Sequence, residues 1–263
     1  MKIILLPLVM FSFLYFSSNA QDVGQDCAPF IQLGWDIDGE SSGDESGESV
    51  SLSGDGSLVA IGASRNDQNG SSSGHVRLYE YDGTNWVQLG DDIDGESSGD
   101  YSGRSVSLSD DGQIVAIGAP HNDGNGNASG HVRVYQLLNA SWIQLGEDID
   151  GEESGDYSGL SISLNAQGRR LAIGSRLNDG GYNNSGHVRV YDYNGFDWVQ
   201  LGNDIDGNTD NAAIGSSLSL SGNGKIVAVL GSTNFSVYEY IGSSWIQLGE
   251  DIPVDGLVHT ANA

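Results

Sequence analysis

The chain has 263 residues, 36 of them acidic and 10 basic, for a net charge of −26. A field of that sign repels nucleic acid and anionic membranes, so neither is expected as a partner. Hydrophobic residues make up 38%, glycine is abundant at 39 and proline scarce at 4, a mixture that implies many turns and little helix.

Residues 1–20 read as an export signal. Lys2 supplies a minimal positive start, residues 3–16 are almost wholly apolar, and Ser18 and Ala20 are the small residues a signal peptidase needs before its cut. The apolar run falls short of the ~20 residues a spanning helix requires, so membrane insertion is not expected and the mature protein is expected to be secreted. Residues 21–29 form a linker that holds Cys27, the single cysteine. No internal disulfide can form, and an unpaired thiol in an exported chain points to an intermolecular bond through Cys27 or to a partner residue outside this chain.

From residue 30 to residue 252 one pattern recurs. Gln-Leu-Gly starts at Gln32, Gln88, Gln144, Gln200 and Gln247, at intervals of 56, 56, 56 and 47. Each interval parses into four short strands. In the second, residues 105–108 alternate polar and apolar, and Asp111-Gly112 makes a hairpin turn. Residues 114–118 are the most continuous apolar run, as a strand covered on both faces should be. A Gly- and Asn-rich loop leads to residues 131–135, where Val132 and Val134 share one face and His131, Arg133 and Tyr135 the other. Trp142, Ile143 and Leu145 belong to the last strand.

The expected fold class is therefore all-β, a β-propeller of four-stranded antiparallel blades. A linear β-solenoid is the alternative, although its coils are usually shorter. The fourth interval is nine residues shorter, and the loss falls in the Gly/Asn loop, as an insertion-tolerant surface segment allows. Residues 30–37 are left as an orphan strand, with Phe30 where Trp recurs elsewhere, and residues 253–263 form a tail. Either the chain is a piece of a larger propeller, or an end strand pairs elsewhere.

Residues 99–120, GDYSGRSVSLSDDGQIVAIGAP, resemble the FG-GAP repeat of the integrin α-chain head. Gly118-Ala119-Pro120 matches its closing motif, Gly62-Ala63-Ser64 and Gly174-Ser175-Arg176 match in part, and Ser46-Gly47, Ser102-Gly103 and Ser158-Gly159 stand where Phe-Gly would be. The resemblance implies a propeller used in adhesion and ligand binding, often with Ca²⁺ in the first hairpin of a blade. Here that hairpin is only Asp110-Asp111-Gly112, without the family's alternating Asp/Asn pattern.

Two other acidic patterns offer cation ligands. Asp-Ile-Asp-Gly-Glu places Asp36, Asp38 and Glu40, then Asp92, Asp94 and Glu96, then Asp148, Asp150 and Glu152 at alternate positions, where carboxylates of one strand face could converge on Ca²⁺. Asp44, Asp100 and Asp156 follow at fixed spacing. The Gly/Asn loop adds Asp123 and Asn125. Asn and Asp beside Gly are also the ordinary vocabulary of turns, and that reading stands beside the metal one.

His75, His131 and His187 recur with Arg77, Arg133 and Arg189, one pair per repeat, which points to a structural job such as an Arg pairing with a neighbouring blade's carboxylate. Trp86, Trp142, Trp198 and Trp245 recur likewise; packing between blades is the expected use, and sugar stacking is the alternative. Glycosylation sequons at Asn69, Asn127, Asn139, Asn183 and Asn234 fall in expected loops or turns.

An enzyme needs a unique constellation, and almost everything polar here is repeated; no nucleophile motif, phosphate loop or zinc spacing is present. The reading is a secreted or cell-surface binding and adhesion module that is not an enzyme, with an extracellular protein or glycan as ligand. A multivalent carbohydrate binder with one site per blade is the first alternative, and a propeller hydrolase with a central-channel site the second.

Overall fold

The computed structural model describes residues 31–254. The chain divides into two units, Met1–Gln32 and Leu33–Ala263, and the described residues lie almost entirely in the second. The expected export signal, the linker with Cys27, Phe30 and most of the tail lie outside them.

The described residues hold strands and turns and no helix. The first sheet contains β1 (Ser46–Leu52), β2 (Leu58–Ala63), β3 (His75–Tyr81), β4 (Trp86–Gln88) and β5 (Ile93–Asp94). The second contains β6 (Ser105–Leu108), β7 (Ile114–Ala119), β8 (His131–Leu138), β9 (Ser141–Gln144) and β10 (Ile149–Asp150). The third contains β11 (Ser161–Leu164), β12 (Arg170–Ser175), β13 (His187–Tyr193), β14 (Trp198–Gln200) and β15 (Ile205–Asp206). The fourth contains β16 (Ser217–Leu220), β17 (Ile226–Leu230), β18 (Asn234–Ile241), β19 (Ser244–Gln247) and β20 (Ile252–Pro253). Each sheet is an antiparallel meander with a divided outer strand. In the first, β4 pairs with the far end of β3 and β5 with its near end, where His75 faces Asp94 across the ladder. The Leu-Gly step of the repeated phrase is what interrupts the outer strand.

These sheets are propeller blades, laid one on the next. The first strand of each packs on the first strand of the following sheet, β1 on β6, β6 on β11 and β11 on β16. The alternating Ser-x-Ser of these strands explains how they pack so closely. Ser105 Oγ donates to Gly159 O at 2.7 Å, and Ser107 Oγ accepts from Leu164 N at 2.9 Å. Hydroxyls of one blade thus satisfy backbone groups of the next, which an apolar side chain could not do. Gly118, from the Gly-Ala-Pro motif, is required by the same closeness, because a Cβ there would lie 2.1 Å from Gly159 O.

Between blades the core is apolar. Ile114, Ala116, Val132 and Val134 of the second blade meet Ile162, Leu164, Leu171 and Ile173 of the third. Every recurring tryptophan latches onto the preceding repeat: the indole N–H of Trp142 donates to Leu89 O at 2.9 Å, that of Trp198 to Leu145 O at 2.8 Å and that of Trp245 to Leu201 O at 2.9 Å. Packing therefore accounts for the tryptophans.

Residues 31–37 form no strand, in contrast to the expected orphan strand. The segment nevertheless does what the end of a blade does, because Trp86 Nε1 donates to Leu33 O at 3.0 Å. The end blades expose what the inner ones cover. Val50 and Leu52 of β1 are 63% and 59% exposed, and Ile252 is 57% exposed while its counterparts Ile93, Ile149 and Ile205 are buried.

Candidate functional site

The strand that starts with His-Val-Arg brings the site together. His75, His131 and His187 open β3, β8 and β13, and each is at least nine-tenths buried. Alternation puts the histidine and the following arginine on one face of the blade, opposite the valine that enters the core. The divided outer strand lies alongside and brings Asp92, Asp148 or Asp204. The linker from the preceding repeat crosses above and brings Glu40, Glu96 or Glu152. Three like clusters result: Glu40, His75 and Asp92; Glu96, His131 and Asp148; Glu152, His187 and Asp204. In each, one ligand atom from every residue lies within 4.8 Å of the others, so each cluster could hold a metal ion.

In the first cluster His75 Nδ1 is 3.8 Å from Glu40 Oε2 and 3.7 Å from Asp92 Oδ2. The other two repeat this, with 3.9 and 3.7 Å around His131 and 3.7 and 3.8 Å around His187. The Nδ1 atoms of His75 and His187 are buried with no hydrogen-bond partner. Arginine orients the carboxylates: Arg77 holds Asp92 through Nε at 2.9 Å and Nη2 at 2.8 Å and also pairs with Glu40. Arg133 lies 3.5 Å from Glu96 and reaches back to Asp94 O at 2.7 Å, a link to the preceding blade. A glutamine steadies the same aspartates, at 2.7 Å from Gln88 to Asp92 and 2.6 Å from Gln144 to Asp148.

Burial pushes the pKa of all three histidines down, that of His131 to about 4, with the neighbouring Arg133 charge adding to the effect. The imidazoles are therefore neutral at physiological pH and each has a lone pair to offer. The second aspartate of the phrase is pushed the other way. Burial raises Asp94, Asp150 and Asp206, and the charges of Asp92, Asp148 and Asp204 raise them further. Asp94 Oδ1 is buried without a partner. These carboxyls, raised chiefly by burial and further by the cluster aspartates' charge, lie beside the three clusters without belonging to them.

The second cluster opens into a cavity of about 410 Å³ whose lining includes Glu96, Asp100, Asp123, His131, Asp148 and Asp150. Asn122, buried on the loop after β7, donates to Asp100 Oδ2 at 2.9 Å, and Asn66 and Asn178 make the same bond to Asp44 and Asp156.

Several expected ligands are thus gathered, but not in the expected groups. The glutamate of each Asp-Ile-Asp-Gly-Glu phrase leaves its own aspartates and joins the next blade, because the chain bends from the glutamate onward. Glu96 therefore meets Asp148, not Asp92. Asp36 and Asp38 precede the first blade and enter none of the three clusters. Asp123 Oδ1 accepts from Ala128 N at 2.8 Å, and Asn125 Nδ2 donates to Gly151 O and Glu152 O, tying its loop to the next linker. In the first hairpin, Asp111 Oδ1 accepts from Ser109 Oγ and Gln113 N, so that carboxylate shapes the turn. The arginines pair with a carboxylate from the preceding repeat, as expected of a structural role, Arg77 with Glu40, Arg133 with Glu96 and Arg189 with Glu152, and the histidines stand among the same carboxylates. Of the sequons, Asn127, Asn139 and Asn183 are exposed, Asn69 donates its amide to Gly95 O, and Asn234 is a half-buried strand residue bonded to Asp251.

The fourth blade keeps only the outer-strand aspartate of the set. Asn234, Ser236, Asn208 and Ala212 replace the histidine, arginine, glutamate and buried aspartate, and the Asn-Asp loop is missing. Asp251 remains, satisfied by Ser236 Oγ at 2.6 Å, Asn234 Nδ2 at 2.6 Å and Gln247 Nε2 at 2.7 Å. The blade still forms, so the cluster is not needed to build one.

The blades and their repeat define a β-propeller-type protein. Two stretches of it, residues 37–79 and 93–135, match the FG-GAP repeat model. No curated protein matches the chain. Among solved structures, a functionally unknown protein from Desulfotomaculum acetoxidans DSM 771 matches with a TM-score of 0.55 at 14% identity, over 81% of this chain and 57% of that one. The periplasmic gluconolactonase of Pseudomonas aeruginosa matches with a TM-score of 0.54 at 15% identity, over 79% of this chain and 58% of that one. The chain thus spans a little over half the length of these structures, and at such identity the likeness is one of fold.

Proposed function

We propose that this chain is a secreted, non-enzymatic binding module of the FG-GAP propeller type, used in adhesion, that engages an extracellular protein or glycan through divalent cations held in the three His-carboxylate clusters. The observation that carries this reading is the joint presence of histidine, arginine and glutamate beside the aspartate in three blades, and the joint loss of those three from the fourth, which keeps only Asp251. Equivalent sites along one edge suit multivalent attachment, whereas catalysis needs one distinct site. The carboxylates supply the hard oxygen donors Ca²⁺ prefers, and the imidazole adds a nitrogen suited to Mn²⁺ or Zn²⁺.

Calorimetric titration of the chain with Ca²⁺, Mn²⁺ and Zn²⁺ separately, with melting in and out of chelator, tests it. The expected result is about three equivalents of at least one ion and a raised Tm. An ion at 100 times its Kd would add about 2.7 kcal/mol per site. Glu96→Gln should lower the stoichiometry by one. Absence of heat and of any Tm change with all three ions would overturn the reading.

A further inference from the structure

A second site stands out because it breaks the repeat. Arg104 lies just before β6, where the other repeats have Glu48, Leu160 and Ser216. Arg176 follows β12, where the first two repeats have Ser64 and Pro120. Neither arginine recurs, and both line one cavity of about 420 Å³ built from three consecutive blades. Its other walls are Leu160, Ser216, Ser217 and Leu230, so no carboxylate lines it. That is unusual in a chain with 36 acidic and 10 basic residues.

The surroundings show how the cavity stays positive. Arg65 is 3.3 Å from Glu45, and Arg104 pairs with Glu48 on the side of a neighbouring cavity. Arg176 is exposed and makes no ion pair among the described residues. One guanidinium is thus uncompensated, a second reaches the same space, the Ser217 hydroxyl lines it while that of Ser216 donates to Ala213 O at 2.6 Å, and two leucines offer apolar wall.

We propose that this cavity binds a small organic anion with a carboxylate head, held by Arg104 and Arg176, and a short apolar body against Leu160 and Leu230. A paired guanidinium fork matches carboxylate geometry, and a cavity of this volume is in the range that small-ligand sites occupy. The site is independent of the cation clusters and uses none of their residues.

The test is titration of the full chain with hexanoate, followed by amide chemical shifts, with hexanol and sulfate as comparison ligands. Hexanoate should bind in the millimolar range and shift residues around Arg104, Arg176 and Ser216. Arg104→Ala and Arg176→Ala should each weaken it roughly tenfold, the loss of one charge-assisted contact. Lys225→Ala, which removes the same charge away from the cavity, should bind as the parent does. Hexanol binding as tightly as hexanoate would overturn the role of the arginines, and sulfate binding as tightly would overturn that of the leucines. Millimolar hexanoate with no shift at the cavity, or Arg176→Ala binding like the parent, would overturn the site.

Discussion

Replacing His131 by asparagine, the residue the fourth blade uses at the same position, should remove a defined part of the protein's acid sensitivity. His131 is 1% exposed, and burial lowers its pKa from 6.5 to about 4. Between those values the unfolded chain holds a proton that the folded chain refuses, so stability is full above pH 6.5 and falls as pH drops towards 4. From 1.36 kcal/mol per pKa unit, the loss is about 2 kcal/mol at pH 5 and about 3 kcal/mol below pH 4. Urea unfolding of the parent and of His131→Asn at pH 7.5 and pH 5 measures it. The parent should lose about 2 kcal/mol more than the variant between the two conditions. His75 and His187, shifted in the same direction, act in both proteins. The raised Asp94, Asp150 and Asp206 act with the opposite sign, since their protonation favours the fold, and they too are common to both. Equal losses in parent and variant would refute the reasoning. They would mean that Glu96 and Asp148 hold the imidazolium well enough to cancel its burial.

Trp198→Phe removes the indole donor from Leu145 O and should cost about 2 kcal/mol in urea unfolding. Trp86→Phe, whose ring is only half-buried and whose acceptor lies ahead of the first blade, should cost less; equal costs would count against the latch. Gly118→Ala drives a Cβ to 2.1 Å from the next blade's backbone and should cost about 3 kcal/mol or more. Gly56→Ala, with positive φ but open space around it, should cost about 1 kcal/mol, so a reversed order would contradict the close blade contact.

The blade architecture was legible because repetition multiplies a weak signal. The alternation at 105–108, the apolar run at 114–118 and the Asp-Gly turn each support a strand or hairpin weakly, but they recur in order. The site was less legible because its members come from adjoining repeats. Glu96 lies two residues from Asp94 in sequence, and only the bend that begins there sends it to His131. The histidine's repetition suggested a scaffold role, and the fourth repeat, with Asn234 at that position, shows that a blade also forms without it. The anion cavity was legible in the same way, through arginines that depart from their own repeat, although nothing in the sequence says that residues 104 and 176 share a space.

The tryptophan latches and serine bridges all run between adjacent repeats, so stability is carried by junctions between neighbours and by the blades themselves. Such an array behaves as a one-dimensional lattice, in which each blade is held by its junctions with its neighbours. Opening should therefore be easiest where Val50 and Ile252 already meet solvent, and travel one junction at a time. The second and third sheets, which share the Ile114–Ile173 core, would be the last to let their amide protons exchange.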